Sequence, residues 1–159
     1  MPRSAPSSEA VVGLNDHWAD RGRALALVWA GMVLGVSFLA TPAKFLAPSL
    51  SLPVALDVGR HTFRTFGRVE MAMAAPLGLG VGARAWRRLL ALAPGLIVLA
   101  QALWLQPRLD VRTRQLVQGG VPPPPSGLHL VYVACEAAKL AALLTLGLTA
   151  MRPKMRSGR

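Results

Sequence analysis

The sequence predicts an all-α integral membrane protein, a four-helix bundle that crosses the bilayer four times, with an extra amphipathic segment between spans 1 and 2. Three observations carry that prediction. Hydrophobic residues make up 53% of the 159-residue chain and the mean hydropathy is +0.42, both more than a soluble domain of this size needs. The apolar residues gather into runs near the ~20 residues that a hydrocarbon core of ~30 Å requires at 1.5 Å per residue. Of the 18 Lys and Arg residues, within a net charge of +11, all but Lys139 stand between and beyond those runs. That arrangement suits lipid head groups better than a nucleic-acid groove, so membrane lipids are expected partners and nucleic acid is not. Cys135 is the single cysteine, so an intrachain disulfide framework is excluded.

Residues 1–23 read as a polar N-terminal tail without fixed structure up to about Asp20. The first span, about 24–46, rests on twenty uncharged residues between Arg23 and Lys44. A signal peptide is the rival reading, but its apolar core is usually shorter, and Leu39 to Ala43 makes a poor cleavage site. Gly31 and Gly35 form a GxxxG pair that permits close helix approach. Asp57, His61, Arg64 and Arg68 then recur at spacings of four, three and four, which predicts an amphipathic helix at the membrane surface before the chain turns inward. The uncharged run Met71 to Ala83 is only thirteen residues long. The second span, about 63–83, must therefore begin before Glu70 and carry that carboxylate into the bilayer. Glu70, Ala74, Gly78 and Gly82 form one i, i+4 row, which turns the carboxylate toward a neighbouring helix. The third span, about 89–106, is expected to kink at Pro94 and Gly95 and has Gln101 as its main internal polar group. A charged stretch follows, in which Asp110 and Arg114 are spaced to pair, and then a stiff connector running to Pro125. The fourth span, about 127–150, precedes a basic C-terminal tail at 152–159.

Four spans put both termini on one side. That side and the middle turn hold ten Lys and Arg residues against seven opposite, which favours cytoplasmic termini in a cell (plasma) membrane protein.

The fourth span carries a polar stripe, His129, Tyr132, Glu136 and Lys139, and an opposite stripe of small residues, Ala134, Ala138, Ala142 and Thr145. Counted from the cytoplasmic boundary at Arg84 or Arg152, Glu70, Lys139 and Glu136 lie fourteen, thirteen and sixteen residues deep, that is ~20–24 Å. All three fit one layer and predict a buried proton or ion site, in which two carboxylates share one ammonium and one proton. The competing reading pairs Glu136 with Lys139 and Glu70 with another base, purely to hold the helices in register.

Toward the other face, Lys44, His61, Arg64, His129 and Tyr132 are expected to line an outer polar cavity, with Ser37 and Thr41 continuing its strip on the first helix. A haem or metal between His61 and His129 is the weakest reading, because no HxxxH or CxxC spacing supports it; no cofactor and no metal site are expected. No Ser, His and acid grouping argues for an enzyme.

Four short motifs resemble the transmembrane protein 205-like family of small membrane bundles: Trp29-Ala30-Gly31-Met32 with Val36-Ser37-Phe38, Gly59-Arg60-His61-Thr62-Phe63, Trp104-Leu105-Gln106-Pro107-Arg108, and Gly127-Leu128-His129. The resemblance covers most of residues 24–150 and implies a four-helix membrane protein, with little mechanism. Glu136 and Lys139 have no counterpart in the family pattern. From the residues, the leading expectation is an oligomeric transport or permeation protein for a small solute, proton or cation, built around Glu70, Glu136 and Lys139. The alternative is a non-catalytic accessory subunit of a membrane complex. In either case the small-residue faces predict a homo-oligomer or a partner membrane subunit.

Overall fold

The computed structural model describes residues 8–79, 85–119 and 126–149. These residues form helices, with no strand among them. Helix α1 (Ser8–Val33) continues through a π-helical segment, Leu34–Ala40, one α turn, Thr41–Ala43, and a 3-10 turn, Lys44–Leu46. Helix α2 is Leu52–Leu79, α3 is Ala85–Ala100, and a second π-helical segment, Gln101–Leu105, joins α3 to α4 (Gln106–Val117). Helix α5 is Leu128–Leu148. Three stretches are long and apolar enough to cross a membrane: Asp20–Leu46, Ala85–Val117 and Leu128–Leu148.

Several of these bounds correct the sequence reading. The first helix begins at Ser8, inside the expected tail, because once a helix is nucleated each further residue adds a bond and no proline interrupts this stretch. The amphipathic row is not a separate surface segment. It is the first half of one unbroken 28-residue helix, α2, whose charges Asp57, Arg60, Arg64, Arg68 and Glu70 leave it too polar to count among the three apolar spans. The third apolar stretch does not stop at 106 but runs through Pro107 into α4. Gly82, the polyproline part of the connector and the basic C-terminal tail lie outside the described residues.

Both π-helical segments have one visible cause. Pro42 and Pro107 each follow by two residues the end of such a segment. A proline offers no N–H to the carbonyl four residues back, and its ring crowds that carbonyl, so the preceding turn widens. The widened bonds are those of Thr41 N–H to the Val36 carbonyl and Gln106 N–H to the Gln101 carbonyl. In the first segment the Thr41 hydroxyl also donates to Val36 O at 2.8 Å.

Helix α5 packs against α1 and α3, and α2 packs against α1, α3 and α4. The shared core includes Trp29 and Val33 of α1, Phe66 and Leu77 of α2, Val98 of α3 and Leu143 of α5. Close approach depends on glycine at two places. A Cβ at Gly147 would fall 2.5 Å from Leu27 Cδ2, and one at Gly95 would fall 3.1 Å from Ala74 Cβ. The Ala74 and Gly78 row of α2 therefore does meet a helix, α3. The GxxxG pair is different: among the described residues nothing lies within 4 Å of where a Cβ would stand at Gly31 or Gly35, so the pair packs against none of the described helices.

The surface is apolar and much of the polarity is inside. Leu39, Leu46, Leu103 and Leu130 are among many exposed large hydrophobic side chains, whereas Glu70, Gln101, Glu136 and Lys139 are buried. Such an inverted distribution, with three stretches apolar enough to cross a membrane, is consistent with a membrane protein.

Candidate functional site

Every rod contributes to the buried polar centre. On α5, Glu136 and Lys139 are one turn apart and face inward together with Tyr132, Leu143 and Leu146. The opposite residues Ala134, Ala138 and Thr145 face out. The register of a single helix thus separates the polar stripe from the small-residue stripe, at ~100° per residue.

The Lys139 ammonium donates to Glu70 Oε1 at 2.6 Å and lies 2.8 Å from Glu136 Oε1. Its side chain has no solvent exposure, and each carboxylate side chain has 2%. The indole N–H of Trp29 donates to Glu70 Oε1 at 3.0 Å. Glu136 accepts on both oxygens, from the Gln101 amide at 2.9 Å on Oε1 and from the Ser37 hydroxyl at 2.8 Å on Oε2. Both of these donors on Glu70 reach Oε1. The Lys139 ammonium also stands 6.0 Å from the centre of the Phe66 ring, within reach of its negative face.

Glu136 pairs with Lys139, and Glu70 shares the same ammonium and pairs with no other base among the described residues. Three partners escaped the sequence reading: Trp29, Ser37 and Gln101. Ser37 and Gln101 both lie in the widened helical segments, whose extra backbone width alters side-chain direction relative to a regular helix. A buried indole N–H nearly always finds an acceptor, and that was the signal available for Trp29.

A cavity of about 260 Å³ lies beyond Tyr132. Of the five residues expected to line it, Lys44, His129 and Tyr132 do so. His61 does not: the cavity takes the face of α2 bearing Leu56, Gly59, Arg60 and Phe63, and His61 is rotated off that face. Its ring Nδ1 lies 3.0 Å from the Asp57 carbonyl oxygen, and it borders a shallow depression with Val36 and Phe66. His61 and His129 therefore do not converge. Arg64 also stands outside the cavity wall, where it pairs with Asp110 of α4. That pairing replaces the expected Asp110 to Arg114 contact and ties α2 to α4 across the chain. Asp57 pairs with Arg60, whose Nη2 is 2.7 Å from Oδ1.

Tyr132 lines the cavity and lies one turn from Glu136 on the buried face of α5. Its ring packs edge to face on Phe63, with centroids 5.0 Å apart and planes at 65°. Gln106, whose amide donates to the Phe63 carbonyl at 3.4 Å, lines the cavity beside it. Among the described residues, no group of three or more His, Cys, Asp and Glu side chains is placed to hold a metal ion. No family model matches the chain, and no similar curated protein or solved structure was found.

Proposed function

We propose that this chain is a four-span bundle of the plasma membrane, with cytoplasmic termini, that moves protons, alone or coupled to a small solute, through the Glu70, Glu136 and Lys139 centre. The observation that carries this reading is a charge imbalance: two buried carboxyl groups share one buried ammonium. With both carboxyls ionised, one negative charge is left uncompensated where a charge costs about 2.5–3.5 kcal/mol or more in lipid. One proton removes it.

A proton fits the centre better than a metal cation. Donors already occupy Oε1 of Glu70 and both oxygens of Glu136, whereas a hard cation such as Ca²⁺ gathers about six to eight oxygen ligands. We place the proton on the Glu70 carboxyl, with exchange to the cavity passing by Glu136 and Tyr132.

Purified protein in liposomes with an imposed potassium diffusion potential tests the reading. Glu70→Gln and Glu136→Gln are expected to abolish proton uptake while helix content and elution volume stay unchanged. Wild-type uptake no faster than in empty liposomes, or undiminished uptake in both variants, would reject it.

A second reading, a non-catalytic accessory subunit, is favoured by one observation. Ala134, Ala137, Ala138 and Ala141 form an exposed small-residue face on α5, suited to close approach by another membrane helix. Ala138→Leu is expected to release a partner subunit or a second copy if that face is occupied. Unchanged assembly would leave the face to lipid.

A further inference from the structure

We infer that the cavity beyond Tyr132 is a binding site for a small amphipathic anion, a carboxylate or phosphate head group with a short apolar tail, held by Lys44. The acidic groups nearest the cavity are already committed: Asp57 to Arg60 and Asp110 to Arg64. Lys44, half-buried in the wall, has no carboxylate within ion-pairing distance among the described residues, and its ammonium lies 5.1 Å from the centre of the Phe45 ring. It also lies directly against Gly59, where a Cβ would collide with it, so the glycine keeps open the space the ammonium occupies. Lys44 is therefore a cation without a paired counter-ion among the described residues, in a wall that also contains Arg60, Arg112, His129 and Asp110, the last already paired with Arg64.

Leu56, Phe63, Leu109 and Leu116 make most of the remaining surface apolar, beside the polar Thr41, Gln106, Thr113 and Tyr132. At about 260 Å³ the cavity lies just below the roughly 300–1,000 Å³ of ordinary small-molecule sites. Size, apolar walls and one uncompensated ammonium together select an anion with a short tail over an inorganic ion or a neutral apolar molecule. The site does not depend on proton transport, and its test reads binding alone.

The anion can come from solution or from the head group of an acidic lipid, and the experiment separates the two. Hexanoate is titrated calorimetrically into full-length protein in phosphatidylcholine nanodiscs, with hexanol as the uncharged control. In parallel, native mass spectrometry follows retention of phosphatidylglycerol by protein extracted from mixed vesicles. Saturable 1:1 hexanoate binding, weakened about tenfold or more in Lys44→Gln, kept in Lys44→Arg and about tenfold stronger than hexanol, supports the site with a free anion as occupant. Phosphatidylglycerol retained one per chain and lost in Lys44→Gln supports it with a lipid as occupant. Leu116→Trp, which fills the apolar wall, is expected to reduce either signal while leaving elution unchanged. If neither probe binds, or if both bind Lys44→Gln as well as wild type, the assignment is wrong.

Discussion

Lys139 and Glu70 stand 69 residues apart in sequence, yet the lysine ammonium lies 2.6 Å from the glutamate Oε1 with both side chains removed from solvent. Glu136 shares that ammonium from one turn away on the same helix. Removing Lys139 leaves two carboxyl groups facing each other with no counter-charge for the ionised one. Lys139→Met should therefore cost about 3–5 kcal/mol, the range for breaking a buried ion pair from one side. Adding Glu70→Gln should recover part of that loss, so the double variant is more stable than the sum of the singles predicts. Thermal unfolding in detergent, run as a double-mutant cycle, checks this.

Trp29 contributes a hydrogen bond as well as bulk. Trp29→Phe keeps most of the packing in the core but withdraws the N–H from Glu70 Oε1. A loss of about 1–3 kcal/mol is expected, the cost of an unmet buried hydrogen bond. The same unfolding measurement on Trp29→Phe decides it, and a change of only a few tenths would mean that Glu70 does not rely on the indole.

Glycine positions should divide sharply. At Gly147 a Cβ would fall 2.5 Å from Leu27, so Gly147→Ala must push α1 and α5 apart and should cost about 1–3 kcal/mol. At Gly31 there is open space, and Gly31→Ala should leave the fold within about 0.5 kcal/mol. A shift in elution volume for Gly31→Leu, without loss of fold, would show that the GxxxG pair acts between chains.

Tyr132 lines the cavity one turn from Glu136. Tyr132→Phe keeps the ring against Phe63 and removes only the hydroxyl, so stability should fall by about 1 kcal/mol. Proton uptake should slow by about a hundredfold or more, as expected when a positioned proton-transfer group is lost. Liposome uptake beside an unfolding curve separates the two effects.

Much of the centre was legible from depth alone. Counting residues inward from charged helix ends puts Glu70, Glu136 and Lys139 in one layer, and these three do meet. The same count applied to the other helices finds two more members: Ser37 lies fourteen residues beyond Arg23, and Gln101 thirteen beyond Arg88, both ~20 Å deep. Their direction, however, is set by the widened turns ahead of Pro42 and Pro107, which a regular 3.6-residue period does not describe. The outer cavity was harder to read because it depends on helix rotation. Asp57, His61, Arg64 and Arg68 follow a helical spacing correctly, yet that row lies beside the cavity face formed by Leu56, Gly59, Arg60 and Phe63. The continuity of α2 was hidden for a related reason: its charged half resembles a surface helix, and only packing against α3 and α4 shows one rod.

Infrared difference spectroscopy of the protein in lipid, recorded across a pH titration, is the most direct test of the central claim that the buried cluster exchanges a proton. A carboxyl C=O band that disappears as pH rises is expected in the wild type, and it should be absent from Glu70→Gln while the amide bands remain helical. No carboxyl band changing at any pH where the protein stays folded would contradict the claim and leave Glu70, Glu136 and Lys139 as a fixed lock between helices.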